Sequence, residues 1–139
     1  MKLDITRVDI WVAGIEDRPG GLTEKLRGLA QAGANLEFLL ARRAPEQPGK
    51  AVVFAAPIKG AKQMKAAREL GFHRSNSLHG IRIMTADKPG LGLALTQALA
   101  DAGINLRGFS GAAVGKRAVF YIAFDISADV GKAVRCLNR

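Results

Sequence analysis

Residues 17–36 read DRPGGLTEKLRGLAQAGANL, and residues 87–106 read DKPGLGLALTQALADAGINL. The two stretches align without a gap at an offset of 70 positions, which matches Asp17 to Asp87, Pro19 to Pro89 and Asn35 to Asn105. An internal repeat of this kind marks one supersecondary unit used twice. Each copy opens on Asp-x-Pro-Gly, a turn signal. Apolar residues then follow at helical spacing: Leu22, Leu26, Leu29 and Ala30 in the first copy, Leu91, Leu95, Leu99 and Ala102 in the second. Pro19 suits the first turn of a helix, where its missing N–H leaves no bond unmade. Asp17 is placed to cap that turn or to favour its positive end. Gly33 and Gly103 are placed to stop the helices as left-handed caps.

Outward from the repeat, the same elements recur in the same order. Val8–Ile15 and Gly80–Thr85 are β-rich runs before the two turns, and each predicts a strand. After the helices, Asn35–Arg43 and Asn105–Val114 predict second strands, and Ala51–Pro57 and Ala118–Ile126 predict third strands. The hairpin turn is three residues shorter in the second copy, so Val52–Phe54 matches Val119–Tyr121 at an offset of 67. Surface turns tolerate such deletions. Lys59–Leu70 and Ala128–Leu137 predict the closing helices. FHRSNSL from Phe72 can close the first unit's sheet, but nothing follows the last helix of the second. Three solutions stay open there: the N-terminal stretch from Lys2 adds a strand, a partner chain does, or the sheet keeps three strands.

A strand–helix–strand–strand–helix unit with Asp-x-Pro-Gly before its first helix and Gly-x-Asn-Leu opening its second strand resembles the ACT domain. Residues 1–78 hold one such copy and residues 79–139 another. The resemblance implies an α+β fold of two ferredoxin-like βαββαβ units in tandem, with antiparallel sheets, helices on one face, and a second unit lacking its last strand in sequence order. It also implies a non-catalytic regulatory role, in which an amino acid or related small effector binds at the interface of two ACT-like units. Carried over by position, the ligand residues are Asp17, Gly20 and Asn35 in the first copy and Asp87, Gly90 and Asn105 in the second. Gly21 and Leu91, at the first helical turn, are placed to donate backbone N–H groups. The chemistry agrees: unpaired N–H groups at a helix start suit a carboxylate, glycine admits close approach, and asparagine both donates and accepts. Two chains are expected to pair, and an enzyme is the expected regulated partner.

Composition bounds the alternatives. The chain has 139 residues, 48% apolar and 24% charged, which fits a folded protein. A single cysteine, Cys136, rules out an internal disulfide and a multi-cysteine metal site. The start lacks a signal-peptide pattern and no apolar run reaches the length of a bilayer span, so a cytoplasmic location is expected. The formal charge of +9 leaves a nucleic-acid or acidic-partner binding module as the alternative function. Against nucleic acid, aromatic residues are only 6%, too few for a stacking platform. Lys59, Lys62, Lys65 and Arg68 predict a solvated helix face. No P-loop, Gly-x-Ser-x-Gly or His-Glu-x-x-His occurs, so no catalytic residues, metal or cofactor are assigned. His73 and His79 lack ligand-like neighbours, and Trp11 is expected to pack on a sheet face.

Overall fold

The computed structural model describes residues 2–138, with only the backbone described for 75–78. Ten elements follow in order: β1 (Asp4–Glu16), α1 (Gly21–Gln31), β2 (Phe38–Arg43), β3 (Lys50–Ala56), α2 (Gly60–Glu69), β4 (His73–Ala86), α3 (Leu91–Asp101), β5 (Leu106–Val114), β6 (Arg117–Phe124) and α4 (Ser127–Leu137). They form two ferredoxin-like units.

The first unit spans Asp9–Ser75. Its sheet is antiparallel: β1 pairs with β3 from Trp11↔Ala55 to Glu16↔Lys50, and β2 pairs with β3 from Phe38↔Ala56 to Arg43↔Ala51. Strand periodicity sends alternate residues to one face. Trp11, Ala13 and Ile15 therefore enter the core with Val53 and Ala55, and meet Leu29 of α1, Ala67 of α2 and Phe72. The guanidinium of Arg68 lies 5.6 Å from the centre of the Trp11 ring, a cation–π contact over an otherwise buried indole.

The second unit comprises Met1–Val8 and Asn76–Arg139. Its strands β4 and β6 pair antiparallel from His79↔Phe124 to Ala86↔Arg117, and β5 pairs with β6, with a register shift between Leu106 and Gly108. Ile81, Ile83, Leu95, Leu99, Ile122, Phe124 and Ala133 form its core. Leu3 and Ile5 pack against that core, and β1 lies beside β4 in the strand order. The buried Thr85 hydroxyl donates to the Lys2 carbonyl at 2.9 Å. The N-terminal strand thus supplies what the sequence order leaves out. Residues 1–8, which the boundary at 78/79 left with the first copy, group with the second unit, in line with the first of the three solutions left open for its sheet.

Helix ends follow the glycines. Ala34 N–H reaches the Leu29 carbonyl at 3.1 Å, Phe72 reaches Ala67 at 2.9 Å and Ile104 reaches Leu99 at 3.0 Å. Each bond spans Gly33, Gly71 or Gly103 at positive φ, and each satisfies a carbonyl the helix leaves open. Lys59, Lys62, Lys65 and Arg68 lie along the α2 segment, where Lys59, Lys62, Lys65 and Arg68 are exposed, as the spacing predicted. Cys136 is half-buried against the second core.

Candidate functional site

The glycine of the Asp-x-Pro-Gly turn has the same backbone conformation in both units. Gly20 has φ 85° and ψ −8°, and Gly90 has φ 82° and ψ 6°. Proline followed by a residue near φ +80°, ψ 0° is the type II turn, which sets Pro at its second position and glycine at its third. In the first unit the turn closes with Gly21 N–H donating to the Arg18 carbonyl at 3.0 Å. Each turn is also tied to its hairpin: Asp17 N–H donates to Gly49 O at 3.1 Å, and Asp87 N–H donates to Lys116 O at 2.9 Å.

This geometry corrects two expectations. Gly20 and Gly90 occupy the N-cap positions themselves, and neither helix has a side-chain cap. Asp17 is three residues further out and pairs with Arg43 Nε at 2.9 Å instead. Pro19 likewise precedes the N-cap, so it shapes the turn and not the helix. The physical reason is common to both: the Pro-Gly pair builds its own turn, which pushes the helix start to residue 21.

The open donors follow the turn in both copies. Gly21 is buried and its N–H is already given to Arg18, so Leu22 and Thr23 hold the open N–H groups of α1 among the described residues. Ala94 N–H closes onto Gly90 O at 2.9 Å. In the second unit Pro89 and Gly90 form the same hydrogen-bonded turn and Leu91 is buried, so Gly92 and Leu93 hold the corresponding N–H groups at the start of α3. A Cβ built on Gly90 or Gly92 would meet nothing within 4 Å.

Asn35 and Asn105 are exposed and lie in the connections after α1 and α3, not inside the strands predicted to begin with them. Each therefore sits at the opposite end of its helix from the glycine turn. With 11 residues in each helix, the separation is roughly 16 Å at 1.5 Å per residue. That exceeds the length of an amino acid's backbone. Within one unit the structure does not bring Gly20 to Asn35, or Gly90 to Asn105.

Two cavities went unseen in the sequence. One, of about 360 Å³, lies between the end of β1, the start of α1 and the hairpin, and is lined by Glu16, Gly21, Glu24, Lys25 and Lys50 among others. Its charges are mutually satisfied. Lys50 pairs with Glu16, and Lys25 donates to the Leu70 carbonyl. Glu24 accepts from Arg18 Nη2 at 2.7 Å, a hydrogen bond that holds its carboxyl below the usual range and raises Arg18 in turn. The other, of about 850 Å³, lies at the end of β4 and is lined by Lys2, Asp4, Met84, Thr85, Lys88 and Arg117 among others. The signal was present in the repeat: Glu16 and Ala86 match at offset 70, and Lys50 and Arg117 match at offset 67.

Among the described residues no group of three His, Cys, Asp or Glu is placed to hold a metal ion, and no helix is long and apolar enough to cross a membrane.

No family model matches the sequence, and no curated protein is similar to it in sequence. Solved structures are similar in fold. Protein BT0572 from Bacteroides thetaiotaomicron superimposes with a TM-score of 0.78 at 18% identity, over 96% of this chain and 88% of that one. The ligand-free regulatory subunit of aspartate kinase from Thermus thermophilus gives 0.66 at 18% identity, over 99% and 93%. Aspartokinase III of E. coli, in complex with aspartate and ADP, gives 0.63 at 14% identity, over 97% of this chain and 32% of that one. The fold of two ferredoxin-like units is therefore shared with these structures, the regulatory subunit of aspartate kinase among them.

Proposed function

We propose that this chain is a non-catalytic regulatory protein that binds an amino acid or a related small effector between ACT-like units. The observation that carries the reading is the doubled type II turn, which in each copy leaves open backbone N–H groups at a helix start beside a glycine without a side chain. Such a start takes a carboxylate. The α-ammonium of the effector then goes to Asp17 or Asp87. Because turn and asparagine lie at opposite ends of one helix, an effector held by both takes the turn from one ACT-like unit and the asparagine from another.

The likeness to a regulatory subunit of aspartate kinase supports this role and suggests the kind of partner, an enzyme whose activity the effector controls. A homodimer is part of the same proposal. The test is a thermal-shift screen against the proteinogenic amino acids. A ligand at about 100 times its Kd stabilises the fold by about 2.7 kcal/mol. The expected result is a shift with one or a few amino acids that is lost in Asn35→Ala or Asn105→Ala. No shift with any of them refutes the amino-acid reading.

A further inference from the structure

The two repeats treat equivalent positions differently. In the first unit, the cations at the end of the opening strand have partners: Lys50 with Glu16, and Lys25 with a backbone carbonyl. In the second unit, the cavity at the end of β4 gathers Lys2, Lys88 and Arg117 against one carboxylate, Asp4. None of these three cations has an ion pair or side-chain hydrogen bond among the described residues. Glu16, which neutralises Lys50 in the first copy, is replaced by Ala86 in the second. The second cavity therefore carries a net charge of about +2 (three cations and one anion) where its counterpart is balanced.

Its wall is also fixed. Thr85 is buried to 3% exposure, and its hydroxyl holds the Lys2 carbonyl. That bond sets the backbone bearing one cation against the strand end that faces the others. Met84 adds an apolar surface. At about 850 Å³ the space is that of an organic ligand and not of a single inorganic ion.

We propose that this cavity is a second binding site, for a small organic polyanion with two or more negative groups, held by Lys2, Lys88 and Arg117. None of its lining residues is among the eight motif positions assigned to the effector, so the two readings stand or fall separately. Carboxylates and phosphates share the required charge, and two probes distinguish them.

The experiment is calorimetric titration of the full chain with citrate and with pyrophosphate at fixed ionic strength. It is repeated on Lys88→Gln/Arg117→Gln and on Lys50→Gln in the first unit. The altered residues are exposed, and circular dichroism checks that the fold is kept. The expected result is saturable binding at one site per chain that weakens roughly a hundredfold in the double variant, about tenfold for each charge-assisted hydrogen bond removed. Lys50→Gln should leave it unchanged. Binding of citrate alone assigns a polycarboxylate, pyrophosphate alone a phosphate ester, and both a site that reads charge. Absence of saturable binding, binding unchanged in the double variant, or equal weakening in Lys50→Gln overturns the proposal.

Discussion

Replacing Gly21 with alanine tests the turn geometry most directly. A Cβ at Gly21 would lie 2.3 Å from the Glu16 carbonyl oxygen. Real contacts of this kind stay beyond 3.0 Å, so something must move by about 0.7 Å. The obstacle is backbone at the end of β1, and that carbonyl also accepts the Arg18 N–H at 2.9 Å. Overpacking against an unyielding neighbour costs up to about 3 kcal/mol. Alanine returns at most about 1 kcal/mol in helix propensity. The net expectation is a loss of about 2 kcal/mol. Gly20→Ala is the reference: it meets only the far end of Arg18, at 3.9 Å, but forces alanine to φ near 85°, for about 1–2 kcal/mol. Urea denaturation followed by circular dichroism reads both, and at a slope of about 2 kcal/mol/M the midpoint of Gly21→Ala falls by about 1 M. A midpoint equal to or above that of the parent protein would refute the close approach of helix start and strand end.

Phe124→Ala empties a fully buried position in the second core and should cost about 3–5 kcal/mol by the same denaturation assay. Thr85→Val keeps the shape but leaves the Lys2 carbonyl without its donor; a loss of about 1 kcal/mol is expected, with faster amide exchange at Leu3 and Ile5 as its signature. Because Arg18 lowers the Glu24 carboxyl in the folded state, its contribution is present above the ordinary value of 4.5 and is lost as pH falls through the lowered one. A pH series of melting temperatures should show this small acid-side decline in the parent and not in Glu24→Gln. Asp17→Ala removes an exposed ion pair with Arg43 and no helix cap, so the stability change should stay below about 1 kcal/mol and shrink with added salt.

The repeat made the architecture legible because its signals are local. Gly33, Gly71 and Gly103 end helices wherever their backbone can turn left-handed, and the alternation through Trp11, Ala13 and Ile15 needs only a strand to be read. Features set by two distant segments were legible only as alternatives, the N-terminal stretch from Lys2 being one of three candidates for the second unit's missing strand. Leu3 and Ile5 alternate like strand residues, but nothing near them tells which sheet they join. The misplacement of Asp17 came from applying an N-cap rule to a helix whose start the Pro-Gly turn had shifted. Asn35 was read as the opening of a strand, but the ladder starts at Phe38. The motif positions themselves stand out through the repeat, but their separation by the length of a helix follows only from the folded course of the chain.

The N-terminal strand has a consequence for how the molecule is made. Thr85 and Lys2 are 83 positions apart, and the core that Leu3 and Ile5 enter also needs Val130 and Leu137. During synthesis, at about 5–20 residues per second, residues 9–75 can assemble as soon as they emerge. Residues 2–8 must wait several seconds longer, with their apolar side chains uncovered, until the far end of α4 is available. Residues 2–8 are thus made before residues 9–75 but buried after them, and closing that long loop is a step of the slow, non-local kind. Truncation within α4 would remove part of the core that Leu3 and Ile5 join, and a fragment begun at residue 79 would lack the opening strand from the outset.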